Sequence, residues 1–217
     1  MRQTTKFVAL LLVLVVALGV YTMRTGKREN YMDYKENLDL AVAIVDGDEI
    51  LLRELAFYIA YEEGMIEKYA TIYDDQDTGA FWRIASNQTV IRVESKEAVM
   101  DMAVHDFILY ELARAGGVTL GEEEERLVEG AQTDFWSDLD EEQKEALGVE
   151  REEIDESVRR VALAEKYQTV LAEVQGLKYE EFSFNGEAYK RMLEEHEVEI
   201  YEDVWDKVNF GGITVDH

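Results

Sequence analysis

The stretch from Ser95 to Glu125 constrains the fold more than any other part of this sequence. Apolar residues recur in it at three- and four-residue spacing on one side, and a second apolar series repeats every four residues on the other. This pattern is typical of a helix that is buried on both faces. Gly116-Gly117 supplies the positive φ that ends such a helix. The rest of the chain therefore has to pack around a long central helix.

Capping residues predict where the two helices of this stretch begin. Ser95 is placed to accept a hydrogen bond from an N–H of a first turn, and Glu97 puts a carboxylate at the positive end of the helix dipole. After the glycines, Thr119-Leu120-Gly121-Glu122 matches a capping box. We therefore expect one helix to begin at Ser95 and a second to begin after Thr119.

The flanking segments predict further helices and a small sheet. Asp46-Gly47 lies between β-prone runs, and glycine tolerates the positive φ of a type I′ hairpin turn. Helical periodicity runs from Leu51 to about Ala70 and from Glu150 to Val174. We also expect shorter helices at 121–133, 138–147 and 187–195, an irregular segment at 73–93, a turn-rich connector at 176–186, a strand at 198–201 that could join the hairpin, and a loose tail from 211. The predicted fold is mainly α with a small β-hairpin or sheet, an α+β class.

Composition excludes several functional classes. The chain of 217 residues has a net charge of −26, which repels nucleic-acid phosphates, so we expect no nucleic-acid partner. It contains no cysteine, which removes disulfides, thiolate metal sites and a cysteine nucleophile. It also contains no proline, as suits long uninterrupted helices.

The N-terminus predicts export to, or attachment at, a membrane. Phe7–Met23 is apolar and uncharged and follows Arg2 and Lys6, as in a secretory signal or a single membrane anchor. An uncleaved anchor is favoured over secretion after cleavage, and the body is then expected outside the cytoplasm. The predicted organisation is an anchor or signal at 1–23, a tether at 24–37, a helical domain at 38–175, and a C-terminal helix and strand at 176–217 that pack back on it.

Candidate binding residues lie on the helix that follows the hairpin. Tyr58, Tyr61, Met65 and Tyr69 form a stripe that could grip a polypeptide, although core packing explains the same pattern.

Two carboxylates and one histidine are candidates for special environments. Glu62 interrupts an apolar stripe and is either a buried functional carboxylate or a residue at the edge of that stripe. Asp106 lies among apolar residues and should have a structural partner, and His105 beside it is expected to be structural. The acidic cluster around Asp74 does not have the spacing of a calcium-binding loop, so no metal site is predicted.

The element order and three stretches resemble the N-terminal chaperone segment of the SurA/PrsA foldase family, which is related in architecture to the chaperone region of trigger factor. AVAIVDGDEILLREL at 41–55 resembles the family's Val-x-Gly-x-x-Ile-x-x-x-Glu-Leu opening. The stretch 97–125 resembles its helix-Gly-hydrophobic-Thr-x-x-Glu centre, and 154–171, with Lys166, resembles the long helix that ends the segment. The resemblance covers about 42–174 and implies a helical chaperone domain.

In that family the segment is often joined to parvulin prolyl-isomerase domains. Only 43 of the 217 residues follow Val174, too few for a parvulin domain, and His196 and His217 lack its pattern. The resemblance therefore implies an exported, membrane-tethered, chaperone-like protein that binds unfolded or nascent polypeptides, with no catalytic residues and no cofactor. The alternatives are a prolyl-isomerase-related foldase with residual activity and a dedicated cell-surface adaptor.

Overall fold

A computed structural model describes residues 31–86 and 89–216 of the chain, which divides into two units, 1–32 and 33–217. The helices are α1 (Ala56–Tyr73), α2 (Thr78–Trp82), α3 (Ile91–Ala115), α4 (Glu122–Asp138), α5 (Glu141–Leu147), α6 (Arg151–Gln175), α7 (Glu187–Leu193) and α8 (Glu202–Trp205). The strands are β1 (Ala41–Val45), β2 (Asp48–Leu51), β3 (Ala85–Ser86), β4 (Thr89–Val90) and β5 (Val198–Ile200), and 3₁₀ turns lie at Lys35–Asn37, Leu52–Leu55 and Tyr179–Phe182. The described body is mainly helical with a small antiparallel sheet, an α+β fold as predicted.

The three-stranded sheet has the order β2-β1-β5, and both pairings are antiparallel. Asp46 and Gly47 have φ values of +53° and +95°, which confirms the predicted hairpin turn with positive φ at both central residues. The C-terminal strand pairs with the free edge of β1, with Val198 opposite Val45. The last strand of the fold therefore closes on the first.

The central helix α3 is buried on two sides, as its sequence predicts, because α1 and α6 pack against it. Its buried apolar residues are Val99, Met100, Ala103, Val104, Ile108, Leu109 and Ala113. Gly117 has a φ of +70°, and the following Val118 N–H donates to the Ala113 carbonyl, which closes the end of the helix.

The predicted start of α3 at Ser95 is wrong, because the helix begins four residues earlier at Ile91. Val90 is the N-cap and forms no side-chain cap hydrogen bond, and the first helical N–H, that of Ile91, donates to the Ile84 carbonyl. Ser95 lies inside the helix, where it is buried and hydrogen-bonds Glu62. The segment predicted as irregular in fact contains α2 and the β3–β4 hairpin.

The caps of α4 and α5 also differ from their predicted positions. Gly121 begins α4 as its N-cap, and its N–H donates to the Glu124 carboxylate at 2.6 Å, so Thr119 is not a cap. The helix then continues to Asp138, further than the predicted end near 133. Asp140 caps α5 by accepting from the Gln143 N–H at 2.8 Å. The N-cap of α4 thus lies two residues after the predicted Thr119, and α5 begins three residues after its predicted start at 138.

The folded body begins at Asp33, before the predicted start at 38. Tyr34 is buried, and its hydroxyl donates to the Leu52 carbonyl at 2.8 Å, which fixes this segment against the 3₁₀ turn that precedes α1. Phe7–Met23, where an anchor or signal is predicted, lies outside the described residues. Among the residues that are described, no helix is long and apolar enough to cross a bilayer.

Candidate functional site

A cleft of about 290 Å³ opens between α1, α3 and α6 and is bordered on its fourth side by the segment 179–184. Most of its walls are apolar and aromatic. Aromatic rings of Phe57, Tyr58, Tyr61, Tyr179 and Phe184 line it, with Met102 and Val161 between them. Cavities of this size and character bind small ligands or single side chains of a larger partner.

A buried polar network joins the cleft residues of α1 and α3. The Tyr58 hydroxyl donates to Oδ2 of Asp106 at 3.1 Å, and Oδ1 of Asp106 lies 2.7 Å from Nδ1 of His105. Nε2 of His105 lies 2.8 Å from the Phe182 carbonyl oxygen, and the Tyr189 ring packs edge-on against the imidazole at 4.6 Å. Asp106 therefore has two structural partners, of the kind expected from its sequence context.

The hydrogen bonds fix the role of His105. A carbonyl oxygen can only accept, so Nε2 carries a proton and donates it to Phe182. Nδ1, the other ring nitrogen, lies within hydrogen-bond distance of Oδ1 of Asp106. Because both ring nitrogens are bonded to protein atoms, the imidazole ties α3 to the 3₁₀ turn and is not placed to accept a proton from a ligand.

The mouth of the cleft carries an exposed carboxylate beside a phenol. Packing around Glu165 raises the pKa of its carboxyl, first through lost hydration and second through repulsion from Asp106. The pKa of Tyr179 is raised as well, first by burial and second by the charge of Glu165. Gln168 donates to the Tyr179 carbonyl at 2.9 Å and so fixes the segment that bears this phenol. The mouth is thus acidic and held in shape by α6.

The four predicted binding residues divide into two pairs. Tyr58 and Tyr61 line the cleft, Tyr58 as a buried residue and Tyr61 with 44% of its surface exposed. Met65 and Tyr69 are not among the lining residues; Met65 is half-buried and Tyr69 is exposed. The stripe therefore contributes two residues to the cleft, and its other two residues lie outside it.

Sequence reasoning missed Glu165 and the segment Tyr179–Phe184. Glu165 was passed over because only its apolar neighbours in α6 show periodicity. The segment was assigned to a turn-rich connector, although three aromatic residues in six positions are an unusual density for a solvent-exposed loop. That density was the available signal.

A second buried carboxylate lies away from the cleft, at Glu63, and it is fully buried. Oε1 accepts from the Gly211 N–H at 2.6 Å and from the N–H groups of Gly212 and Ile213 at 3.3 Å. Oε2 accepts from both the N–H and the hydroxyl of Thr214 at 2.6 Å. Burial raises the pKa of Glu63, and these donated bonds oppose that rise.

This arrangement identifies a buried carboxylate that the sequence did not single out and corrects the prediction of a loose tail. The buried carboxylate is Glu63, whereas its neighbour Glu62 is half-buried and has Ser95 as a partner. The segment 211–214, predicted to be a loose tail, is bound through consecutive N–H groups. Gly211 has a φ of +79°, a conformation that glycine adopts without strain and that turns these N–H groups toward one point.

Comparison of the chain with protein-family models, with curated proteins and with solved structures gives no significant match. Within residues 31–86 and 89–216, no group of three or more histidine, aspartate or glutamate side chains is arranged to hold a metal ion. The geometry of the cleft is therefore the basis on which a function can be argued.

Proposed function

We propose that the protein is a chaperone-like polypeptide-binding protein, as its resemblance to the N-terminal segment of the SurA/PrsA family implies, and that the apolar walls of its cleft hold one side chain of an unfolded or nascent polypeptide. The observation that carries the proposal is the open, aromatic-lined cleft between α1, α3 and α6. Burial of one apolar or aromatic side chain in it supplies about 1.5–3 kcal/mol, which suits reversible holding.

The surface around the cleft supports the same function. Large apolar side chains continue along the exposed side of α1 beyond Tyr61, and they are Tyr69, Ile72 and Tyr73. Exposed apolar residues that extend from a cleft offer several weak contacts to an extended chain. The net charge of −26 keeps such an apolar surface soluble and repels other copies of the protein.

The proposal includes a place of action. The apolar, uncharged stretch Phe7–Met23 supports attachment to a membrane, with the body outside the cytoplasm and the clients being exported polypeptides. The cleft offers no histidine nitrogen to a ligand, because both nitrogens of His105 are engaged, and this favours holding over acid–base chemistry.

The test measures how far the full-length chain suppresses aggregation of a chemically unfolded model protein, with a prolyl-isomerisation assay run in parallel. We expect suppression without isomerisation, and at least a several-fold weaker suppression by the double variant Tyr61→Ala/Tyr179→Ala. Leu127→Ala is the control, because it removes an exposed apolar side chain from α4, a helix that contributes no residue to the cleft lining. Isomerisation by the wild type would favour the foldase alternative, and absence of both activities would favour the adaptor.

A further inference from the structure

We propose that the cleft is a site for an alkyl cation and that, within a bound polypeptide, it prefers a lysine or arginine side chain. This inference rests on the proposed function for the identity of the partner. It rests on the cleft itself for the chemistry of the ligand.

The walls of the cleft combine aromatic rings with carboxylates, and the one basic side chain among the described lining residues is His105, whose two ring nitrogens are hydrogen-bonded to Asp106 and Phe182. Four rings, those of Phe57, Tyr61, Tyr179 and Phe184, surround a space that also contacts Glu165 and Asp106. No lysine or arginine is among the described residues that line it. Aromatic faces attract cations through the ring quadrupole, and this attraction grows when the cation is partly desolvated.

The charge of the cleft is uncompensated. Asp106 is hydrogen-bonded to Tyr58 and His105, whereas the carboxylate of Glu165 lies at the mouth of the cleft and adds negative charge there when it is ionised. Among the described residues no lysine or arginine forms an ion pair with Glu165. A bound cation would favour the ionised form of this carboxylate, because an opposite charge nearby stabilises it.

The basic residues nearest in sequence to Glu165 are engaged elsewhere. On the same helix, Lys166 pairs with Glu124 and Arg159 pairs with Glu125, both acids of α4. Arg160 pairs with Glu54 at 2.7 Å. These three basic residues of α6 thus form ion pairs with acids outside the cleft. Glu165 lies at the mouth of the cleft without a lysine or arginine partner among the described residues.

The size and shape of the cleft suit a lysine or arginine side chain. Its volume of about 290 Å³ holds a four-carbon stem with its cationic head. Met102 and Val161 offer the stem an apolar wall, while Glu165 and the ring faces contact the head. The ionised Glu165 would repel a ligand that carries a carboxylate. An uncharged alkyl chain would gain only the free energy of burying its apolar surface.

The first test compares two small probes, N-acetyl-lysine methylamide and N-acetyl-norleucine methylamide, for binding to the full-length chain by ligand-observed NMR. The two share a four-carbon stem and differ in the ammonium group. We expect the lysine probe to bind about tenfold more tightly, and this preference to shrink in 0.5 M salt. Equal binding of the two probes, or no binding of the lysine probe, would overturn the inference.

The second test uses Glu165→Gln and the control Glu173→Gln, which removes the same charge from an exposed position of α6 outside the cleft. We expect E165Q to reduce the preference for the lysine probe to about threefold or less and E173Q to leave it unchanged. An unchanged preference in E165Q would contradict the inference.

The two proposals can fail separately. Binding of the lysine probe without suppression of aggregation would contradict the proposed function and support the cation site. Suppression of aggregation without a preference for the lysine probe would support the proposed function and contradict the cation site.

Discussion

Helix α1 borders two different carboxylates, Glu63 on the helix itself and Glu165 on α6. The two differ in how many hydrogen bonds they accept from the protein. Glu63, on one side, accepts five hydrogen bonds from the segment 211–214 and is inaccessible to solvent. About 200° around the helix, Tyr61 lies at the cleft, where Glu165 faces an open mouth without a cationic partner.

The difference separates a structural role from a binding role. A carboxylate whose acceptor sites are filled by the protein's own backbone holds two distant parts of the chain together. A carboxylate beside rings and open space keeps its capacity for a ligand. We therefore expect changes around Glu63 to alter stability without altering binding, and changes around Glu165 to do the opposite.

The largest effect is expected from deletion of residues 198–217. This change removes β5, the buried residues Trp205, Val208 and Phe210, and every donor to Glu63. Each large apolar side chain contributes about 1.5–3 kcal/mol, so the sum approaches the total stability of a typical domain. Thermal unfolding followed by circular dichroism should show a melting temperature lower by tens of degrees or no cooperative transition. A deletion of residues 216 and 217 alone is the control. Equal melting temperatures for the longer deletion and the wild type would contradict the claim that the C-terminal segment packs against β1 and α1.

The next largest effect is expected from Glu63→Gln. The amide group keeps the shape of the side chain but turns an NH₂ toward N–H donors, which leaves buried donors unpaired at a cost of about 3 kcal/mol. Urea unfolding should show this loss in the free energy of unfolding. Glu62→Gln is the matched control, because its neighbouring carboxylate is half-buried and has one hydroxyl partner, and we expect it to cost less than about 1 kcal/mol. A larger loss in E62Q than in E63Q would contradict this account.

A much smaller effect on stability is expected from Glu165→Gln. The pKa of Glu165 is raised, so its ionised form is disfavoured in the folded state and its contribution to stability declines as pH rises through the folded-state pKa. At neutral pH the neutral amide should therefore leave the free energy of unfolding unchanged or raise it by a few tenths of a kcal/mol. Urea unfolding at pH 7 checks this. A clear loss of stability would show that Glu165 has a structural partner and would weaken the contrast with Glu63.

The smallest effect is expected at the hairpin turn, in Asp46→Asn. A hydrogen bond with His196 and one from the Glu197 N–H lower the pKa of Asp46, so its contribution is present above the unfolded-state pKa near 3.8 and is lost as pH falls through the lower folded-state pKa. Asparagine also accepts the positive φ of this position. Urea unfolding at pH 7 should show a few tenths of a kcal/mol between variant and wild type, shrinking toward pH 3. A difference that grows in acid would contradict the assigned cause.

The parts of the fold predicted from sequence are those with local signals. The central helix shows its two-sided burial in its own periodicity, and Asp46-Gly47 is sufficient to specify a hairpin. The start of α3 was misplaced because its first N–H is satisfied by the Ile84 carbonyl, a partner contributed by a hairpin that has no strong signature of its own. That partner lies outside the helix, so no pattern within α3 indicates where the helix begins.

The site was predictable in part for the same reason. Tyr58 and Tyr61 belong to a stripe visible in the sequence, whereas the opposite wall comes from a segment more than a hundred residues later. Choosing between Glu62 and Glu63 required knowing which side of α1 meets the segment 211–214. The partners of Glu63 lie 148 to 151 residues away from it, and no local pattern carries that information.

The closure of β1 by β5 also determines the order in which the molecule can assemble during synthesis. The edge of β1 and the carboxylate of Glu63 emerge from the ribosome about 150 residues before the strand and backbone donors that complete them. Contacts at such separation carry a large loop-closure entropy and slow the final step of folding. The sheet and the buried site of Glu63 can therefore be completed only after residue 214 has emerged.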